Sequence, residues 1–172
     1  MRTLIGVVGS SKASKPAMKT AYEVGKAVMI SGYSLVCGGL GGVMEAACRG
    51  AFEEAGPRSG RIIGILPGTQ KTDANRYVDI VIPTGFGYAR NFLIACCADA
   101  IVAVSGASGT LSEIAIAWQF EKPIVAIENI PGISAQLVRT SLDADRPVVG
   151  KRNILGASDA QEALRIVKNI LG

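Results

Sequence analysis

Short runs of consecutive apolar residues alternate along this chain with longer segments whose apolar residues recur at helical spacing. The runs predict six strands. They are LIGVVG (4–9), SLVCGG (34–39), RIIGILPG (61–68), VDIVIPTG (78–85), AIVAV (100–104) and KPIVAIE (122–128). The intervening segments predict helices. These span about 16–30, 41–55 with Gly56 as a stop, 88–99, 110–120 and 158–171. The segment from Ile130 to Gly156 is punctuated by proline and glycine and predicts no regular element.

This alternation is typical of βαβ units, in which parallel strands are joined by crossover helices. We therefore predict an α/β fold: a single-domain, Rossmann-like, doubly wound and mainly parallel sheet with helices on both faces. No linker or repeat divides the chain, so residues 1–172 are expected to form one nucleotide- or phosphate-binding domain.

Composition narrows the class of protein further. Hydrophobic residues make up 49% of the 172 residues and charged residues 19%, which is typical of a packed globular chain. The formal net charge of +4 is modest, and lysines and arginines do not cluster with aromatic residues, so nucleic-acid binding is not indicated. The apolar runs are too short to span a bilayer, and the N-terminus lacks a signal-peptide pattern. We expect a cytoplasmic protein without membrane partners.

The chain contains no histidine, which excludes Ser-His-Asp triads, Cys-His pairs and histidine metal sites. No other cluster suggests a metal, so none is expected. Four cysteines, which form no C-x-x-C pair, are expected to be buried free thiols. They are Cys37, Cys48, Cys96 and Cys97, of which Cys37 stands out because it lies at a strand end beside glycines.

Glycine-rich turns follow five of the predicted strands directly: GSSK, CGGLGG, LPGT, PTGFG and SGASG. Because ligands of open α/β sheets bind outside the carboxyl ends of the strands, these turns are expected to meet at one crevice. Bare amides at the start of a helix favour an anion there. Neither CGGLGGVME nor GVVGSSK matches the dinucleotide or Walker spacing, which disfavours a dehydrogenase and a P-loop ATPase.

Two charged side chains are expected at this crevice. Arg90 begins a predicted helix, where its guanidinium group can hold a phosphate. Thr110 and Glu113 have the spacing of a capping box, but the preceding SGASG supplies amides that a phosphate can use, so both interpretations stay open. Lys12 is a weaker candidate. The expected ligand-binding residues are Gly9, Ser10, Gly38, Gly39, Gly41, Gly42, Met44, Arg90, Asn91, Gly106, Ser108, Gly109, Thr110 and Glu113.

The segments GGLGGVMEAA (38–47), ARN (89–91) and GTLSE (109–113) together resemble the LOG-like Rossmann superfamily, whose members were formerly labelled lysine decarboxylases. The nearest resemblance is to a branch of uncharacterised proteins related to molybdenum cofactor carrier proteins. The superfamily's phosphoribohydrolases carry an Arg-Lys pair and the motif P-G-G-x-G-T-x-x-E. Here Asn91 stands for the lysine, Ser105 for the proline and Ala107 for the second glycine.

Three functions follow as hypotheses. The first is binding of a phosphate-bearing ligand, such as a nucleotide or a molybdopterin-type cofactor, by a cofactor carrier. The second, which the resemblance implies, is hydrolysis of nucleoside 5′-monophosphates with Arg90 and Glu113 as catalytic residues; lysine decarboxylation has no support. The third is a ligand-free interaction module, for which Ile114 and Trp118 on an apolar helix suggest packing against a second subunit. The resemblance also implies a homodimer.

Overall fold

A computed structural model of the protein describes residues 2–143 and 153–172. The strands are β1 Leu4–Gly9, β2 Ser34–Cys37, β3 Ile62–Leu66, β4 Ile80–Pro83, β5 Ala100–Val104, β6 Ile124–Ile127 and β7 Leu155–Ala157. The α-helices are α1 Lys15–Ile30, α2 Val43–Ala55, α3 Arg90–Cys97, α4 Ser108–Gln119, α5 Ile133–Gln136 and α6 Ala160–Leu171. Short 3-10 turns lie at Lys71–Asp73 and Gly87–Ala89.

The strands of the described residues form one sheet in the order β4-β3-β2-β1-β5-β6-β7, and each neighbouring pair is parallel. The predicted α/β doubly wound fold is therefore confirmed. From β1 the chain moves outward through β2 to β4, and then returns to place β5 on the other side of β1. In this class of fold, a ligand crevice opens where the strand order reverses, which is here between β1 and β5.

The central strands are buried on both faces, as the continuous apolar runs predicted. Along β5, Val102 and Val104 point into a core shared with α1, α2 and α6, whereas Ile101 and Ala103 point into a core shared with α3 and α4. This alternation follows from the period of two in a strand. The sheet thus holds α3 and α4 as rigid elements on one side of the crevice.

The helices lie within two residues of their predicted bounds at each end. Gly56 caps α2 with φ of 79°, a left-handed conformation that glycine adopts easily. Helix α4 begins at Ser108, two residues before Thr110, and no side chain among the described residues caps it. The capping-box interpretation of Thr110 and Glu113 is therefore wrong.

A reciprocal cap occurs instead at the start of α6. Asp159 accepts a hydrogen bond from the Glu162 amide at 2.8 Å, and the Glu162 carboxylate accepts one from the Ser158 amide at 2.8 Å. The hydrogen bonds that the Ser158 amide and hydroxyl donate to the carboxylate lower the pKa of Glu162. Both partners are free to cap α6 because they lie at a surface turn, whereas Glu113 lies in the interior.

The region that predicted no element contains two short ones. Helix α5 and strand β7 lie in it, and residues 144–152 lie outside the described residues. Strand β7 has only three residues, LGA, and pairs with β6 through its backbone. Such a strand depends on its neighbour in the sheet and carries no apolar run of its own, so periodicity cannot reveal it.

Two expectations about side-chain placement are corrected. Cys37 and Cys48 are buried free thiols, but Cys96 and Cys97 are exposed, because the end of α3 turns them outward. Ile114 and Trp118 are buried in the protein's own core and are not available to a second subunit. A membrane-spanning helix is absent from residues 2–143 and 153–172, since no helix there combines enough length with enough apolar character.

Helices α1 and α2 approach each other closely because both carry glycine at their contact. A Cβ atom at Gly50 would lie 2.0 Å from the Tyr22 carbonyl oxygen, and one at Gly25 would lie 1.9 Å from the Ala47 carbonyl oxygen. Both obstacles are backbone atoms of helices and cannot move independently. The position of α2, and of the glycine loop that precedes it, therefore depends on the absence of these side chains.

We expect Gly50→Ala to lower the free energy of unfolding by about 1–3 kcal/mol, as overpacking does in well-packed cores. The sign is informative because alanine at an unobstructed helix position would stabilise by about 1 kcal/mol. Urea denaturation followed by circular dichroism measures the change. Gly109→Ala is the matched control, since Gly109 lies in α4 and a Cβ atom there would meet nothing within 4 Å. Equal stability of Gly50→Ala and wild type would contradict the close-packing argument.

Candidate functional site

A cavity of about 450 Å³ opens at the carboxyl ends of the strands, where the strand order reverses. Its walls come from the segments that follow β1, β2, β3, β4 and β5. The residues that line it are Gly9, Ser10, Ser11, Leu40, Met44, Pro67, Gly87, Tyr88, Arg90, Asn91, Ala107, Ser108, Gly109, Thr110 and Glu113. The turns after β2 and after β5 thus lie around one space.

A buried ion pair lies in this cavity wall. The Arg90 Nη1 atom is 3.4 Å from the Glu113 Oε1 atom, and the two residues are only 8% and 6% exposed. Arg90 is the first residue of α3, so the start of that helix carries the guanidinium group to the crevice. The Arg90 Nε atom is buried and has no hydrogen-bond acceptor among the described residues. The guanidinium group is therefore only partly satisfied by the protein.

The position of Arg90 depends on Gly38 at the end of β2. A Cβ atom there would lie 2.4 Å from Arg90 Nη1 and 2.5 Å from Nη2. Any side chain at 38 would therefore occupy the space of the guanidinium group. Gly38 leaves room for the Arg90 side chain and does not itself line the cavity.

Burial changes the protonation of Glu113. Removal of its carboxylate from water raises the pKa to about 7, although the nearby Arg90 charge lowers it. Near neutral pH both protonation states of Glu113 are therefore populated. Such a carboxyl group at a cavity can donate or accept a proton, or bear a negative charge, over a narrow pH range.

The start of α4 presents unpaired amides to the same space. The N–H groups of Ser108, Gly109 and Thr110 donate to no acceptor in the described part of the chain, as is usual in a first helical turn. Gly106, with φ of 96°, makes the turn that precedes them. A Cβ atom at Gly106 would lie 2.4 Å from the Thr110 hydroxyl oxygen, so glycine is required there by both φ and space.

Asn91 links α3 to α4 through side-chain hydrogen bonds. Its side-chain amide nitrogen donates to the Ser112 hydroxyl at 2.7 Å and to the Gly109 carbonyl at 3.4 Å. It is 4% exposed, although it also contributes to the cavity wall. Its amide nitrogen is thus used to hold the first turn of α4 in place.

The glycine loop after β2 is held by internal contacts at Gly39. The Gly39 amide donates to the Cys37 sulfur at 3.3 Å, and the Gly39 carbonyl accepts from the Asn75 amide at 2.8 Å. Cys37 Sγ also lies 3.4 Å from Cys48 Sγ, and this hydrogen bond lowers the pKa of Cys37. The Gly39 amide is therefore used internally, whereas the amides of Leu40, Gly41 and Gly42 donate to no acceptor among the described residues.

The cavity brings together nine of the fourteen predicted binding residues. They are Gly9, Ser10, Met44, Arg90, Asn91, Ser108, Gly109, Thr110 and Glu113. The other five do not line it: Gly38, Gly39, Gly41, Gly42 and Gly106. Of these, Gly39 and Gly42 allow close backbone approaches beside the cavity. Lys12, the weaker candidate, is exposed and outside the lining.

The predicted binding residues lack six that line the cavity: Ser11, Leu40, Pro67, Gly87, Tyr88 and Ala107. All six lie inside or beside the quoted glycine turns, so the signal was the turn and not the residue type. Tyr88 is 89% exposed at the rim, in the segment TGFGY that follows β4. Among the described residues, no group of three or more histidine, cysteine, aspartate or glutamate side chains could hold a metal ion.

Comparisons with known proteins agree with this architecture. A molybdenum cofactor binding protein from Rippkaea orientalis has a TM-score of 0.85 at 31% identity, over 100% of this chain and 99% of that one. The molybdenum cofactor carrier protein of Chlamydomonas reinhardtii has a TM-score of 0.80 at 34% identity, over 99% of both chains. An uncharacterised protein from Archaeoglobus fulgidus is 40% identical over 72% of this chain and 79% of its own length.

The profile of the SLOG cluster4 family matches residues 2–157, which is nearly the whole chain. That match covers every segment of the cavity wall and agrees with the predicted resemblance to LOG-like proteins. The chain therefore belongs to the SLOG cluster4 family.

Proposed function

We propose that the protein binds a phosphate-bearing small molecule in the cavity between β1 and β5, and that it acts as a carrier of a molybdopterin-type cofactor. The observation that carries this proposal is the buried Arg90 guanidinium group, whose Nε atom lacks an acceptor. Two structural neighbours in the same size class are proteins that bind or carry the molybdenum cofactor. Their names suggest the cargo, and the geometry suggests how this chain would hold it.

The residues present fit such an anionic ligand. Arginine binds phosphate oxygens with a planar fork of donors, and the free amides of Ser108 to Thr110 lie at the positive end of the α4 dipole. The cavity volume of about 450 Å³ lies within the range for small-molecule sites. Glu113 keeps the cation paired, and so prevents an isolated buried charge.

A bound nucleotide is the second ligand class that this arrangement accommodates. The neighbours favour the pterin cofactor, whereas the helix-start amides recognise only the phosphate group that both ligands share. A competition titration would show whether AMP and the molybdenum cofactor bind at the same place beside Arg90, and which of the two binds more tightly. Native mass spectrometry of freshly purified protein would identify a co-purified molecule of either class.

We expect Arg90→Gln to weaken binding of AMP or molybdopterin about 10- to 100-fold, since a hydrogen bond to a charged group contributes roughly 1.5–3 kcal/mol. Isothermal titration calorimetry measures the effect. Because the single variant leaves Glu113 without its cation, the double variant Arg90→Gln/Glu113→Gln serves as a neutral replacement. The matched control is Arg165→Gln, an exposed arginine on α6. Unchanged affinity in both Arg90 variants would overturn the proposal.

A specific observation favours hydrolysis of a nucleoside 5′-monophosphate as a second candidate function. Glu113, with its raised pKa, lies 3.4 Å from Arg90 in one cavity. Its ionised carboxylate would stabilise positive charge on the ribose ring, while Arg90 would hold the phosphate. Water would add to the ribose carbon as the bond to the base breaks, and the base would leave with a proton.

We place hydrolysis second because the turn before α4 departs from the hydrolase motif. Ser105 has φ of 58°, a conformation that the proline of that motif cannot adopt, since its ring holds φ near −65°. The Ser105 hydroxyl donates instead to the Pro131 carbonyl at 2.8 Å. Ala107 adds a methyl group where the motif has glycine.

If the protein hydrolyses AMP, kcat/KM for adenine release should rise with pH and level off above about 7, the pKa of Glu113. The sign follows because only the ionised carboxylate stabilises a developing positive charge. Glu113→Gln should abolish the release, as measured by chromatography of free base. The control is Glu162→Gln, an exposed carboxylate at the start of α6. Equal rates in wild type and Glu113→Gln would exclude this function.

We also propose that the protein is a homodimer through an apolar face of α3 and α4. Phe92 and Phe120 are 48% and 41% exposed, and their rings lie 5.4 Å apart in an edge-to-face arrangement. Exposed aromatic pairs of this kind are typical of protein interfaces. This face replaces the Ile114–Trp118 face that the sequence suggested.

Sedimentation velocity at micromolar concentration should give the mass of a dimer, and Phe120→Ser should shift the protein toward monomer because it removes an exposed aromatic anchor. Ile170→Ser removes a similarly exposed apolar side chain, at 47%, from α6 and should leave the dimer intact. Sedimentation of wild type only as a monomer would exclude the dimer.

A further inference from the structure

A second cavity, of about 400 Å³, lies between α1 and α2, next to the first turn of α2. We call it the α1–α2 groove. Its walls include Lys15 and Lys19 from α1, Glu45 and Arg49 from α2, and the rings of Tyr22 and Tyr77. None of these residues lines the cavity that contains Arg90.

The groove has an excess of positive charge. Three cations line it against the single lining carboxylate of Glu45, and one of them, Arg49, is paired with Glu53 at 3.9 Å. Neither Lys15 nor Lys19 forms an ion pair within the described ranges of the chain, whereas Lys26 on the same helix pairs with Glu54 at 3.8 Å. Two unpaired ammonium groups one helical turn apart can contact the same anion.

The aromatic walls are held in place by other contacts. The Tyr22 hydroxyl donates to the Glu53 carboxylate at 2.6 Å, and the Arg49 guanidinium carbon lies 5.0 Å from the centre of the Tyr22 ring. Tyr77 packs edge-to-face on Phe52 with ring centres 5.7 Å apart. Both rings are therefore oriented before any ligand enters.

We propose that the α1–α2 groove is a second binding site, for a phosphorylated small molecule that carries a planar ring, of the nucleotide class. The lysines and Arg49 would contact its phosphates, the tyrosine rings would pack against its base, and Glu45 would accept hydrogen bonds from hydroxyl or amino groups. The volume of about 400 Å³ lies within the range for small-molecule sites. This proposal stands independently of the function of the Arg90 cavity.

The two sites share one structural element. Gly42 lines the groove and Met44 lines the Arg90 cavity, so the first turn of α2 separates them. The Val43 amide donates to the Ser10 carbonyl at 2.9 Å, which joins this turn to the loop after β1. Amide signals of Gly42 and Ala46 are therefore direct reporters of groove occupancy.

The test uses ADP and inorganic phosphate as probes, on the full chain carrying Arg90→Gln to weaken the other cavity. Heteronuclear NMR should show saturable ADP-dependent shifts at Gly42 and Ala46. The double variant Lys15→Gln/Lys19→Gln should weaken ADP binding about 10- to 100-fold, as expected for two charge-assisted contacts. Tyr77→Leu should weaken ADP binding but leave phosphate binding unchanged.

The control is Lys26→Gln, which removes one positive charge from α1 outside the groove, half of the change made by the double variant. If Lys26→Gln weakens ADP binding as much as the groove variants do, the loss reflects the net charge of the protein and not contacts in the groove. That result would overturn the proposal. Shifts confined to residues 107–113 would assign ADP to the other cavity and also overturn it. Phosphate that binds as tightly as ADP would show that the groove does not recognise a planar ring.

Discussion

The buried ion pair between Arg90 and Glu113 is the constraint on which the rest of the site depends. Neither charge would be stable in this interior alone, because the cost of removing an ion from water exceeds what packing returns. Each therefore holds the other at the cavity wall, and α3 and α4 are joined through them. Gly38 below Arg90 and the Asn91 bonds to α4 complete the support, so the pair is enclosed by parts of β2, α3 and α4.

The same pair underlies both of the functions proposed for the cavity. The Arg90 Nε atom has no acceptor in the described part of the protein and is available to an anion. Burial raises the pKa of Glu113 to about 7, although the charge of Arg90 lowers it. A carrier needs the cation and the helix-start amides. A hydrolase needs the ionised carboxylate as well. The strained turn at Ser105, unlike that of the hydrolase motif, favours the carrier.

Helix α2 links the cavity to the rest of the molecule. Its first turn lies between the Arg90 cavity and the α1–α2 groove, and its body is pressed against α1 at Gly25 and Gly50. Tight packing transmits displacement because interiors have little free volume. A ligand in the groove would therefore act on an element that also shapes the cavity.

Much of the architecture was predictable from the sequence because it rests on local rules. Buried parallel strands need continuous apolar runs, and the turns at their carboxyl ends need glycine, so the runs and turns located the crevice and placed Arg90 and Glu113 at it. The glycine at 56 likewise marked the end of α2. These features are determined by residues near one another in the chain, through backbone conformation and side-chain period.

Other features depended on the tertiary structure. Thr110 and Glu113 have the spacing of a cap, yet Glu113 turns inward because a cation distant in sequence lies there. The exposure of Cys96 and Cys97, the three-residue strand β7 and the α1–α2 groove likewise depend on contacts between distant segments. The sequence by itself determined the fold class, the edge of the sheet at which the candidate site lies and its two charged residues. Only the folded chain decided which groups are paired, buried or exposed, because those properties arise from neighbours that no local pattern specifies.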